Sequence, residues 1–167
     1  MAVLKVYKYP HPVLRSASVP VPVNTPQWHT EMVPLIQDLK DTLYAFPGAV
    51  GLAAPQTGNA VRIILIDVTA SSTQDGLRVL VNPEIVSQSR TKWVREGCLS
   101  FPEYLANTRR ATRVTVAAYN EAGDPIEFAA DGLEAIAIQH ELDHLDGVLL
   151  IDRVGSLKTD MIRRRGS

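Results

Sequence analysis

Apolar positions recur along this chain with two different periods, and the switches between them mark out its elements. Trp28, Met32, Leu35, Ile36, Leu39 and Leu43 fall at helical spacing, which predicts an amphipathic helix with one face turned to a core. Thr25 and Pro26 supply its start, an N-cap residue followed by a proline at the first helical position. Phe46-Pro47-Gly48 ends it after Tyr44, and Pro34 is expected to bend it. The middle of the chain is strand-like. Residues 61–68 are dense in β-branched side chains, residues 79–81 and 84–86 flank Asn82-Pro83, and residues 112–119 alternate before a turn at 120–125 and a returning strand at 126–129. Further short strands are expected at residues 1–7 and 148–151, with a loop at 69–76 and proline-rich turns or connectors at 9–12 and 19–26.

The last long apolar run differs from the first. Leu133, Ile136 and Ala137 lie on one face and Ile138, Leu142 and Leu145 on the other, so this helix is apolar on most sides and belongs inside the domain. Asp131 and Glu134 have the spacing of a capping box, and Gly147 follows as a left-handed terminal residue. The fold class is therefore α+β. Antiparallel or mixed strands pack around one buried helix, and the N-terminal amphipathic helix covers the core, in a single domain over residues 1–167.

Composition narrows the function classes. A chain of 167 residues buries a core large enough to need no staple, and with one cysteine it forms no internal disulfide. A net charge of −1 provides no chain-wide basic field, so nucleic acid is not an expected partner. No apolar run has the length of a membrane span and the opening residues lack the pattern of a signal peptide, so a soluble, cytoplasmic protein is expected.

The candidate chemistry lies in Gln139-His140-Glu141-Leu142-Asp143-His144. On a helix, His140 and His144 stand one turn apart on the same face with Glu141 beside the first. This is the HExxH arrangement, in which two imidazoles hold a divalent metal and the glutamate acts as general base toward water. A satisfied core helix with two buried histidines is the competing reading. His11 and His29 have no partner at ligand spacing and read as turn and helix-surface residues. Beyond His144 there is neither histidine nor glutamate to complete a metal site, only Asp146, Asp152 and Asp160. Cys98 upstream is a candidate third ligand, since a thiolate suits zinc or ferrous iron. Taken alone, it also reads as a small buried hydrophobe.

Three stretches in order, Gly51-Leu52-Ala53-Ala54-Pro55-Gln56, Glu96-Gly97-Cys98-Leu99-Ser100 and Gln139 to Leu145, resemble the three motifs of peptide deformylases. Tyr9-Pro10-His11-Pro12-Val13-Leu14-Arg15 and the segment from Asp146-Gly147 to Asp152-Arg153 are also similar, so the resemblance spans nearly the whole chain. It implies hydrolysis of the N-formyl group of N-formylmethionyl peptides, with release of formate. It implies one divalent metal, usually ferrous iron, with zinc, nickel or cobalt also suited, held by Cys98, His140 and His144. Glu141 becomes the proton shuttle, and the Gln56 amide with the backbone N–H of Leu99 the donors to the developing oxyanion. Val50, Gly51 and Leu52 with Gly97 would pair with the substrate backbone, and Ile136 and Ala137 would line the methionine pocket. Glu96 is expected to pair with Arg110 and brace the Cys98 segment.

Some features depart from the family pattern. The usual GxGLAAxQ appears here as Gly48-Ala49-Val50-Gly51, with one extra residue, and Leu105 stands where many members carry an arginine. The tail after Arg153 is too short for the C-terminal helix of many bacterial members, which puts docking to the ribosome in doubt. Two other readings stand beside this one: an HExxH peptidase cleaving ordinary amide bonds, and a non-catalytic metal-binding or redox-sensing domain built on Cys98.

Overall fold

The computed structural model describes residues 2–69 and 73–165; Met1, the middle of the expected 69–76 loop, and Gly166-Ser167 at the end of the basic tail lie outside the described residues. The strands are β1 (Gly51–Ala53), β2 (Ile63–Ile66), β3 (Arg78–Cys98), β4 (Phe101–Tyr119), β5 (Pro125–Asp131) and β6 (Met161–Arg163). They form one sheet in the order β1-β2-β3-β4-β5, with β6 added to β4, and every pairing is antiparallel. The helices are α1 (Val33–Tyr44), α2 (Gly132–Leu145) and two single turns, α3 (Leu150–Arg153) and α4 (Leu157–Asp160).

β2 shows why the domain has three layers. All four of its residues are buried, and because side chains alternate across a strand, Ile64 and Ile66 pack toward α2 while Ile63 and Leu65 pack toward α1. On one face Ile138, Leu142 and Leu145 of α2 meet Leu80, Val114 and Val116. On the other, Trp28, Ile36, Leu39 and Leu43 cover Leu52, Val79 and Val81. Each of these large side chains contributes roughly 1.5–3 kcal/mol of transfer free energy. The expected N-terminal helix is present, and Thr25 Oγ1 accepts from Trp28 N–H at 3.3 Å as its cap. Just before Pro34, where a bend is expected, lies a π-helical turn at Trp28–Met32, closed by Val33 N–H on Trp28 O. Proline lacks the N–H that would continue the regular ladder, so the wider turn falls just before it.

The C-terminus of α2 is a Schellman motif: Gly147, at φ +72°, donates to His144 O at 3.2 Å and Val148 to Asp143 O at 2.9 Å. This ends the helix within one turn of its last histidine.

Four expected features differ. Residues 148–151 do not form a strand. Leu149 N–H is capped by Asp152 Oδ2 at 2.8 Å, and this bond seeds the helical turn α3. The capping box is not made: Asp131 binds Arg113 at 2.9 Å and Glu134 binds Arg78 at 3.1 Å, so both carboxylates are committed to ion pairs. Residues 2–7 carry no strand. Instead Tyr7 donates to Gln56 O at 2.8 Å and Tyr9 to Ser100 O at 2.9 Å, single bonds that tie the N-terminus to two loops near the histidines. Finally, the segments on either side of Asn82-Pro83 belong to one 21-residue strand, and β4, expected from residue 112, begins at Phe101. The tail is also ordered, with β6 lying against Tyr104, Leu105 and Ala106 of β4.

Candidate metal centre and active site

Four elements meet where α2 crosses the sheet. α2 carries His140, Glu141 and His144; the end of β3 carries Cys98; the turn from β3 to β4 carries Leu99 and Ser100; and a 3-10 turn after β1, Ala54–Thr57, carries Gln56. One ligand atom from each of Cys98, His140 and His144 lies within 4.8 Å of the other two, and all three residues are buried. Cys98 Sγ is 3.4 Å from His144 Nε2.

The second nitrogen of His140 explains how the ring is held. Nδ1 lies 2.7 Å from Glu96 Oε1, which leaves Nε2 for the cluster. Glu96 is in turn gripped by Arg110, whose Nε donates to Oε2 at 2.7 Å and Nη2 to Oε1 at 3.1 Å, and by the hydroxyl of Thr108. Burial pushes the Glu96 carboxyl up, but the hydrogen bonds from His140 and Arg110 outweigh it and hold the group at about 2. Arg110 continues the chain to Asp143 at 2.7 Å, and Arg153 closes it at 2.6 Å. An ionic chain thus runs from the exposed Arg153 of α3 through Asp143 of α2 to the buried Arg110 of β4 and Glu96 of β3, and so to the ring of His140. Removing one partner from such a network strands a buried charge, at about 3–5 kcal/mol.

Gln56 is oriented the same way. Its Oε1 accepts from Ala53 N–H at 3.0 Å, which turns the NH₂ group toward Ser100 Oγ at 3.1 Å and Cys98 Sγ at 3.8 Å. Ser100 Oγ donates to Tyr7 O at 2.8 Å, so the tie from the N-terminus reaches this amide.

These residues suit a divalent cation. The donors are one sulfur and two imidazoles, and burial, helped by His140 and Arg110, pushes His144 well below its ordinary value, so it is a neutral ring with a lone pair to give. At His140 burial is outweighed by the charges of Cys98 and Glu141, which raise its affinity for a positive partner, a proton or a metal that displaces it. Glu141 Oε2 and His144 Nδ1 are buried without a hydrogen-bond partner among the described residues. Glu141 is pushed up to about 7, mainly by burial, with His140 opposing. A buried carboxyl near neutrality, with an unsatisfied oxygen, is a group placed to exchange a proton.

A cavity of about 320 Å³ opens over this cluster. Of the residues expected from sequence, Val50, Gly51, Gln56, Gly97, Cys98, Leu99, Ile136, Ala137, His140 and Glu141 line it. His144 lies behind, against Cys98. The Leu52 side chain turns away into the core beneath α1, leaving only its backbone for any contact. Gly51 is tightly placed: a Cβ there would stand 2.7 Å from Glu141 Oε1. The Glu96–Arg110 pair is present as expected. Sequence reasoning missed Asp143 as the anchor of Arg110, although a carboxylate on a helix otherwise apolar on that side signals a buried cation. It also missed Arg95 and Arg164, which line the mouth, and nothing in the local pattern marks them.

A helix-borne HExxH with a cysteine beside it, opening on a cavity inside a sheet-wrapped domain, defines a hydrolase of the metal-dependent class. A family model for polypeptide deformylase matches residues 3–160. The chain is 40% identical over 166 residues to the peptide deformylase of Syntrophobacter fumaroxidans, covering 99% of this chain and 94% of that one. It is 41% identical over 168 residues to peptide deformylase 2 of Xanthomonas campestris, covering 99% and 95%. Its fold matches the crystal structure of a peptide deformylase from Legionella pneumophila with a TM-score of 0.84 at 39% identity, over 94% of this chain and 89% of the other. A peptide deformylase from Synechococcus elongatus in complex with actinonin matches with a TM-score of 0.83 at 34% identity, over 95% and 82%. The chain belongs to the polypeptide deformylase family. It is a hydrolase that removes the N-formyl group from the formyl-methionine of nascent polypeptides and releases formate. Among the described residues no helix is long and apolar enough to cross a membrane.

Proposed function

We propose that deformylation takes place at the Cys98, His140 and His144 cluster, with those three residues holding one ferrous ion and Glu141 moving the proton. The observation that carries this reading is the convergence of the three donors within 4.8 Å beside a buried, unsatisfied carboxylate. When bound, the cation supplies Lewis acidity, making water more acidic and a carbonyl carbon more electrophilic.

The remaining work falls to the chain. Glu141 takes a proton from the attacking water and delivers it to the amine nitrogen as the formyl C–N bond breaks, leaving formate and a free N-terminus. The Gln56 NH₂ group and the N–H of Leu99 stabilise the charge gathering on the former carbonyl oxygen. Glu96 holds His140 in the tautomer that faces the metal. Substrate backbone pairs with Val50, Gly51 and Leu52 on one side and Gly97 on the other. In support, β1 pairs only with β2 among the described strands, and β3 pairs with β2 only at residues 78–81, so both strands offer an open edge. Ile136 and Ala137 give the methionine side chain an apolar wall.

Protein loaded anaerobically with ferrous iron is expected to release one formate per amine from formyl-Met-Ala-Ser and to lose activity in air. Cleavage of an unformylated peptide without formate release would refute this reading. Gly51→Ala is expected to lower kcat by about 10²-fold, with thermal stability largely kept, because the added methyl group displaces the Glu141 carboxylate. Steady-state kinetics beside a melting curve checks this.

A further inference from the structure

Asp67 is a buried carboxylate that the proposed reaction does not use. It lies one residue past the end of β2 and takes hydrogen bonds from neutral donors. Oδ1 accepts from Thr69 N–H at 2.9 Å and from Thr69 Oγ1 at 2.6 Å, closing the turn out of the strand, and Oδ2 accepts from the Tyr44 hydroxyl at 2.5 Å. Burial pushes the Asp67 carboxyl up, but the bonds from Thr69 and Tyr44 outweigh it and hold the group below its ordinary value. Burial, helped by the same carboxylate, pushes the Tyr44 phenol up. Near neutral pH the acceptor is thus ionised and the donor keeps its proton. A charge buried on neutral donors is costly to keep, and here its effect is positional.

Tyr44 is the last residue of α1, and Val50 immediately precedes β1. Val50 O accepts from Asp67 N–H at 2.9 Å, one rung beyond the Gly51–Ile66 pair of the β1–β2 ladder. Asp67 therefore fastens both ends of the segment 45–50, one through its side chain and the other through its backbone. Between these anchors the segment folds on itself: Phe46 donates to Leu43 O at 3.2 Å, Ala49 donates to Phe46 O at 3.1 Å, and Gly48 turns the chain at φ +81°. Pro47, Gly48, Ala49 and Val50 line the cavity, whereas Tyr44 and Asp67 do not. This part of the wall is thus shaped from behind, by a hydroxyl–carboxylate bond set back from the cavity.

We propose that Asp67, through Tyr44, is a positioning residue that holds the 45–50 segment in the shape that binds the formylated peptide. This rests on the cavity being the peptide site. The test uses the metal-loaded full chain with formyl-Met-Ala-Ser. Tyr44→Phe, which removes one hydroxyl and keeps the ring, should raise KM about 5-fold, the equivalent of one hydrogen bond, with kcat within about 2-fold of the natural chain. Hydrogen exchange at 45–50 should quicken in the same variant. Asp67→Asn should keep KM near its natural value, because its carbonyl still accepts from Thr69 and its NH₂ group can donate to the Tyr44 oxygen. Thr42→Val is the control for stability alone. It removes an α1 hydroxyl that accepts from Leu4 N–H at 2.8 Å and donates to Asp38 O at 2.7 Å, so it should lower the melting temperature without changing KM. An unchanged KM in Tyr44→Phe, or an equal rise in Thr42→Val, would overturn the inference. Failure of the natural chain to release formate from formyl-Met-Ala-Ser would overturn the reading of the cavity itself, and the inference with it.

Discussion

Alanine at position 141 is expected to leave metal content unchanged and to lower kcat/KM for formyl-Met-Ala-Ser by about 10³-fold. Glu141 is one step along α2 from His140, yet it is not among the three donors that converge, and one of its oxygens is buried without a partner. The group can therefore be removed without dismantling the cluster, and what disappears is a proton carrier. Its pH dependence follows. A general base works ionised, so activity is lost as pH falls through its pKa. Burial, only partly offset by the charge of His140, raises that value to about 7, and a cation beside it would pull it down again. The acid limb of kcat/KM in the loaded enzyme should therefore lie below neutrality. Full activity in the Glu141→Ala enzyme, or an acid limb well above 7, would refute the proton-shuttle role.

Cys98→Ala and His144→Ala are expected to lose both metal and turnover. With three protein donors there is no spare ligand, and each substitution leaves two groups to hold a cation that also has to be taken from water. His144→Ala opens space next to the Cys98 sulfur, and Cys98→Ala removes the one soft ligand. Neither change should unfold the domain, since the two large clusters packed on either face of β2 use neither residue, and Cys98 belongs only to a smaller cluster with Leu14, Phe101, Ala106, Leu149 and Leu150. Metal analysis after gel filtration, set beside a thermal melt, separates loss of the ion from loss of the fold.

The contrast between what the sequence reveals and what it hides has a physical basis. β2 is readable because both its faces are buried, giving an unbroken apolar run at residues 63–66. α1 is readable because one face is wet and the other dry. The far half of β3 and the matching part of β4 are not readable in this way. Residues 87–93 are exposed or half-exposed and pair with β4 as a ribbon outside the core, so no alternation is imposed on their side chains. Within the site, His140, Glu141 and His144 are legible from spacing along one helix, whereas Cys98 and Gln56 come from distant segments and need the family resemblance to be connected to them. Asp143 and Arg164 escape notice for a further reason. An ion pair or a tail folding back onto a strand is a tertiary event, and it leaves no period in the chain.

The most direct test of the cluster is spectroscopic. The protein loaded with cobalt(II) should bind about one ion per chain and show a near-ultraviolet thiolate-to-metal charge-transfer band. That band should disappear in Cys98→Ala and persist in Glu141→Ala. A cobalt protein with one bound ion and no such band, or with a band that survives loss of Cys98, would contradict a centre built from this sulfur and the two imidazoles.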